Sequence, residues 1–182
     1  MSARFSKSLV LIWQVAEFEA RQLKAVLIEP AHLLLGLCKS VDLDLTAVPL
    51  KDSPDRDEVL EELLREVRRL RTIFRAAGLD VRAFRRALRQ KWVGSQGAEP
   101  ESKRLHRSKA SKAMFSEAEH LAELSNSPVF PVHLIYVVMS AADELRDQLL
   151  DLHGVEPARL LKLAKRDAIP VREGDRPQAG MN

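Results

Sequence analysis

Two histidines sit in matching company. Pro30, Ala31 and His32 lead into Leu33, Leu34, Leu35, Gly36 and Leu37, and Pro131, Val132 and His133 lead into Leu134, Ile135, Tyr136, Val137 and Val138. A pair of imidazoles in equivalent places could ligate a metal or move protons near neutral pH. The neighbouring residues argue against both. Cys38, the single cysteine, stands at no zinc-site spacing from either histidine, and His106, His120 and His153 form no cluster. No acidic residue is placed by sequence beside a nucleophile and an orienting group. A histidine near the start of an apolar helix more commonly satisfies local backbone groups. The expectation is a chain with no catalytic residue, no metal and no cofactor. None of the seven glycines begins or completes G-x-x-x-x-G-K-[ST], so ATP is expected neither to bind nor to be hydrolysed.

The second candidate is cationic. Arg82, Arg85, Arg86 and Arg89 fall on one face of a helix and could meet a phosphate backbone or an acidic protein surface. No nucleic-acid reading motif accompanies them, and exposed aromatics do not alternate with them. A solvated face is the simplest reading, an acidic protein partner the next, and nucleic acid the last. From Arg65 to Lys91 ten lysines and arginines face only Glu66 and Asp80, while Asp52 to Glu62 is acidic. Acids near the start and bases near the end of a helix complement its dipole, which accounts for part of this asymmetry without a partner.

Helices must position these groups. Phe5, Leu9, Ile12, Trp13, Ala16, Ala20 and Leu23 recur at spacings of three and four, predicting an amphipathic helix over about residues 5 to 24. Pro30 suits the first position of a second helix, apolar nearly all round through Cys38. Val59, Leu60, Leu63, Leu64, Val67, Leu70, Ile73 and Phe74 mark a long third helix that Gly78 ends, and Asp80 caps a short fourth carrying Val81, Phe84 and Leu88. The second half follows the same plan: helices from about Ser108 to Ser125, from Pro131, from about Asp143 to His153 and from Pro157 to Arg166. An offset of 101 pairs Pro30, His32 and Leu33 with Pro131, His133 and Leu134. An offset of 102 pairs Ile12, Trp13, Ala16 and Ala20 with Met114, Phe115, Ala118 and Ala122. The chain is therefore an internal repeat of a four-helix unit, two copies of which bury their apolar sides against each other. The expected organisation is an all-α, eight-helix domain over residues 4–167, with repeat one at 4–92, a linker at 93–103 and repeat two at 104–167. Residues 168–182 are expected to be a disordered tail.

At 182 residues such a domain can bury roughly 70% of its unfolded surface without disulfides. One cysteine allows no internal bridge, no apolar run approaches the ~20 residues of a membrane helix, and the first twenty residues show no signal-like cleavage site. A soluble, cytoplasmic protein with no membrane association is the expectation.

These residues resemble a known family, the double-repeat N-terminal domain of the Clp/Hsp100 unfoldases, above all ClpC and ClpA. Phe5, Ser6, Ala16, Ala20, Leu23, Ile28 and His32 through Leu37 fall in the register of that family's first repeat, and the likeness extends over about residues 4 to 167. The resemblance implies a non-catalytic module, free-standing here, that binds clients, adaptors or other components of a Clp protease system. An N-terminal domain of a full-length unfoldase is one alternative and a basic nucleic-acid regulator another. The departures are specific. Where the family carries threonine, glutamate and histidine, this chain carries Pro30, Ala31 and His32, and Pro131, Val132 and His133 in the second repeat. In relatives that recognise phosphoarginine those glutamates meet the guanidinium, which Ala31 and Val132 cannot pair, so negligible phosphoarginine binding is expected. Ala31 and Val132, with the four arginines, are the candidate partner-binding positions.

Overall fold

A serine opens each half of the chain. Ser6 Oγ accepts the N–H of Leu9 at 3.3 Å and Ser108 Oγ that of Ser111 at 3.1 Å. Each hydroxyl satisfies one of the donors that a helix start leaves free. The computed structural model describes residues 5–45, 56–92 and 105–169. Among them the first repeat holds α1 (Lys7–Gln22), α2 (Pro30–Ser40), α3 (Arg56–Ala77) and α4 (Val81–Lys91). The second holds α5 (Lys109–Leu124), α6 (Pro131–Ser140), α7 (Glu144–Leu152) and α8 (Pro157–Ala168). The fold is all-α, as the periodicity predicts, and no helix among the described residues is long and apolar enough to cross a membrane.

Repetition extends to the turns. Lys24 and Asn126, at the ends of α1 and α5, have φ of 55° and 47°, and Gly78 and Gly154, at the ends of α3 and α7, have φ of 82° and 72°. At all four places the following amide reaches back over the helix end: Ala25 to the Ala20 carbonyl, Ser127 to Ala122, Leu79 to Phe74 and Val155 to Leu150. These left-handed residues turn the chain sharply while satisfying terminal carbonyls. Gly36 serves a different purpose. A Cβ there would lie 2.8 Å from the Ile12 carbonyl oxygen and 3.2 Å from Ala16 Cβ, so only glycine lets α1 and α2 approach this closely. The corresponding place in α6 holds Val137.

Helical periodicity does not predict the short strands that tie the repeats together. β1 (Leu27–Ile28), just before α2, pairs in parallel with β2 (His106–Arg107), just before α5. The mirror of this contact is a single parallel bridge between Phe5 and Val129. Ser108 N–H donates to the Ile28 carbonyl at 3.0 Å and Ser6 N–H to the Val129 carbonyl at 3.1 Å. The segment that begins each repeat is thus hydrogen-bonded to the segment before the central helix of the other. Below this exchange α2 packs on α6, α3 on α6 and α8, and α4 on α7. One continuous cluster of buried side chains draws Leu33, Leu35, Leu37, Phe74 and Phe84 from the first repeat and Leu134, Ile135, Leu150 and Leu160 from the second.

The last helix differs from its sequence-based boundary. α8 runs past Arg166 to Ala168, whose side chain is buried, so Ala168 belongs to the second repeat and not to a tail. The anticipated linker at 93–103 and the rest of the anticipated tail, from residue 170, lie outside the described residues.

Candidate functional site

The two histidines are structural. His32 Nδ1 accepts the Glu29 N–H at 2.9 Å and His133 Nδ1 accepts the Phe130 N–H at 3.0 Å, so each imidazole closes the start of its own helix. Burial pulls both down to about 4; the Arg69 charge adds to this at His133, and a backbone hydrogen bond with Ala168 opposes it. Neutral rings that accept at Nδ1 carry their proton on Nε2. In His32 that nitrogen has no hydrogen-bond partner, and the ring meets Trp92 edge-on with centroids 4.6 Å apart. Cys38 is fully buried, which pushes its thiol up to about 12 and leaves it protonated and inert. No group of three His, Cys, Asp or Glu residues able to hold a metal occurs among the described residues.

The arginines of α4 do share one helix face, and three of the four reach acidic residues of α1 and of the segment after α2. Arg89 Nε donates to Glu19 at 2.7 Å, and Lys39 Nζ approaches the same carboxylate at 3.1 Å. Glu19 is fully buried, and these two cations are what make its charge tolerable there. Arg82 pairs with Asp42 at 3.1 Å and Arg85 approaches it at 3.5 Å. Arg86 is the member of the set that stands exposed without an ion pair among the described residues. Arg82 and Arg86 are exposed, while Arg85 and Arg89 are half-buried. Ala31 is half-buried against the core and Val132 is buried at 2% exposure, so Val132 presents no surface to a partner.

A cavity of about 220 Å³ does lie beside Val132, between Phe130, His133, Arg69 and Arg166. Both of its arginines are held by Asp167, at 3.4 and 3.2 Å. A cleft of about 660 Å³ lies between the end of α2 and the α3–α4 turn and carries Arg71, Arg75, Arg82, Asp42 and Asp80. Most of its polar groups are occupied within the protein: Arg71 donates to the Val41 carbonyl at 2.5 Å, Arg82 pairs with Asp42, and Asp80 caps α4 through the N–H groups of Arg82 and Ala83.

Among the described residues a different surface is open. Between α1 and α5, Phe5, Leu9, Val10, Trp13, Arg107 and Phe115 line a groove of about 250 Å³. Trp13 and Phe115 are the pair matched by the repeat alignment, and their rings touch edge-to-face with centroids 5.6 Å apart. Counterparts in contact place the groove near the axis that relates the repeats. Phe5 stands edge-on to Phe115 at 5.8 Å. The Arg107 guanidinium lies over both rings, 5.4 Å from the Trp13 centroid and 4.9 Å from that of Phe115, within cation–π range. Val10 is 42% exposed on the rim, and Phe18, two turns further along α1, is 48% exposed with Lys39 Nζ 4.5 Å from its centroid. Sequence reasoning used Phe5 and Trp13 as core and left Arg107 aside. The signal that could have found the groove was the offset of 102, which pairs Trp13 with Phe115 and also Phe5 with Arg107.

Eight helices in two equivalent fours, with exchanged N-terminal segments and this groove at the junction, define the architecture of a Clp N-terminal domain. Solved structures share it. The Hsp104 N-terminal domain from Candida albicans superimposes with a TM-score of 0.61 at 14% identity, covering 90% of this chain and 90% of that one. The N-terminal domain of the caseinolytic protease associated chaperone ClpD from Arabidopsis thaliana gives 0.57 at 17% identity, covering 88% and 92%. A structure from a malarial protein secretion system gives 0.58 at 17% identity, covering 91% and 95%. No family model matches the sequence, and no curated protein matches it.

Proposed function

We propose that this protein is a non-catalytic interaction module that holds adaptors or client polypeptides of a Clp-type chaperone or protease system in the groove between α1 and α5. The observation that carries the reading is an apolar, aromatic groove at the junction of the two repeats, open among the described residues. Phe5, Val10, Trp13 and Phe115 offer anchor contacts of the kind that dominate protein interfaces, and Arg107 supplies a charged rim. The buried, backbone-bonded histidines and the inert thiol support a binding role over catalysis. The same groove serves a free-standing adaptor or regulator and the N-terminal domain of a longer unfoldase. The likeness to solved N-terminal domains favours the second arrangement. In either case recruitment occurs without nucleotide, and the partner is a polypeptide rather than DNA or RNA.

Val10→Asp tests the reading, because the residue lies on the groove yet is exposed enough to change with little effect on folding. Binding of reduced, carboxymethylated α-lactalbumin, a permanently unfolded probe, is expected to weaken about tenfold, the loss that follows from removing about 1.4 kcal/mol of apolar contact. The melting temperature should stay within a few degrees of wild type. Undiminished binding by a folded Val10→Asp variant would refute the assignment.

A further inference from the structure

We propose that the segment taken by this groove is acidic: an apolar side chain seated against Val10 and Trp13, with a carboxylate from the same segment paired to Arg107. This rests on the groove being the protein-binding surface and adds the chemistry of its occupant. Arg107 is half-buried, fixed over two aromatic rings, and has no carboxylate within ion-pair distance among the described residues. A guanidinium that stacks by its face keeps its N–H edge free for a planar, bidentate acceptor, and the rings hold that edge in place before any ligand arrives.

Arg107 also breaks the internal symmetry at one informative point. It immediately precedes the Ser108 cap of α5, as Phe5 immediately precedes the Ser6 cap of α1. The two-fold arrangement that gives the first repeat an aromatic anchor gives the second a cation. The field beside Arg107 has the same sign. α5 begins two residues further on, at Lys109, with no acidic residue in its first turn. The positive end of that helix dipole therefore adds to Arg107. The nearby acids do not cancel it. Glu66 accepts from Ser6 and Ser8 from beneath, and burial raises its pKa and favours its neutral form. Glu17 is paired with Arg21 at 2.7 Å.

The alternatives fit less well. A second copy of this chain would bring a like field to the same place. A nucleic acid would want an open ring face for base stacking, and Arg107 already covers those of Trp13 and Phe115. An acidic, apolar polypeptide satisfies both halves of the groove.

The test uses two fluorescein-labelled helical peptides with leucines at i and i+4, flanked at each end by glutamate in one and by glutamine in the other. With the wild-type protein the glutamate peptide should bind about tenfold tighter at low salt, and the gap should narrow as salt screens the pair. Arg107→Gln should remove the preference while leaving the glutamine peptide's affinity within about twofold, and Arg107→Lys, which retains charge without the planar fork, should fall between. Val10→Asp should weaken the glutamine peptide. Equal affinity of both peptides, with Val10→Asp weakening each, would overturn the acidic preference and leave the groove assignment standing. If neither peptide binds, both fall. Binding of a labelled oligothymidylate more tightly than either peptide, lost in Arg107→Gln, would overturn the proposal in favour of a nucleic acid.

Discussion

Replacing Leu34 with aspartate should unfold both repeats in one step. Leu34 is 3% exposed in α2, the helix that packs on α6 across the repeat junction. An unpaired carboxylate there costs several kcal/mol, against a total stability of roughly 5 to 15 kcal/mol for a domain. A first repeat that folded alone would lose its own helices and leave α5 to α8 standing. The strand exchange opposes that outcome, because β2 pairs with β1, and Ser6 hands its amide to Val129. Without α2 in place the second repeat loses its partner for β2 and the apolar surface under α6. Circular dichroism of Leu34→Asp should show loss of most helical signal, and wild type should melt in a single transition. Two well-separated transitions, or half the helical signal surviving in the variant, would contradict a shared core.

Acid should destabilise the protein well above the range where carboxylates titrate. Both buried histidines have folded pKa values near 4 against an ordinary value of 6.5, with burial as the main cause. The unfolded chain therefore takes up protons at these sites that the folded chain refuses. Their contribution is fully present above about pH 6.5 and is lost as pH falls toward 4. Each pKa unit corresponds to about 1.4 kcal/mol, so two sites together amount to several kcal/mol over that window. Glu66 works in the opposite sense. Its raised pKa makes the folded state the better proton acceptor there, so acid relieves a cost at that site. Denaturant midpoints measured between pH 7 and 4 should fall steeply, and His133→Gln should flatten the slope. A pH-independent midpoint over that range would contradict the assignment of both rings as buried and neutral.

Helix positions were legible because their signals are local. Pro30 and Pro131 open α2 and α6, Asp80 caps α4, and Gly78 ends α3, each through a backbone constraint acting within a few residues. The repeat was legible because two copies of one packing problem select similar residues at similar spacing. Its consequence, that counterparts such as Trp13 and Phe115 meet at the junction, requires knowing how the copies face each other, and periodicity is silent on that. The α4 arginines show the same limit. Spacing put Arg82, Arg85 and Arg89 on one face, but Asp42 and Glu19, which pair with them, lie 40 to 70 residues away in sequence. The short strands escaped notice because two residues carry no alternation to read. Val132 looked like a surface substitution for a lost glutamate and is instead covered by the surrounding helices.

Site-specific photocrosslinking places the bound polypeptide most directly. A benzophenone side chain at Val10, with Leu152 and Arg86 as controls, would be irradiated in complex with carboxymethylated α-lactalbumin. Leu152 is the more exposed apolar residue at 78%, and Arg86 stands on the basic stripe of α4. Adducts concentrated at Val10 and nearly absent from both controls are the predicted result. Equal or stronger adducts at Leu152 or Arg86 would show that polypeptides bind elsewhere on the domain, or nowhere in particular.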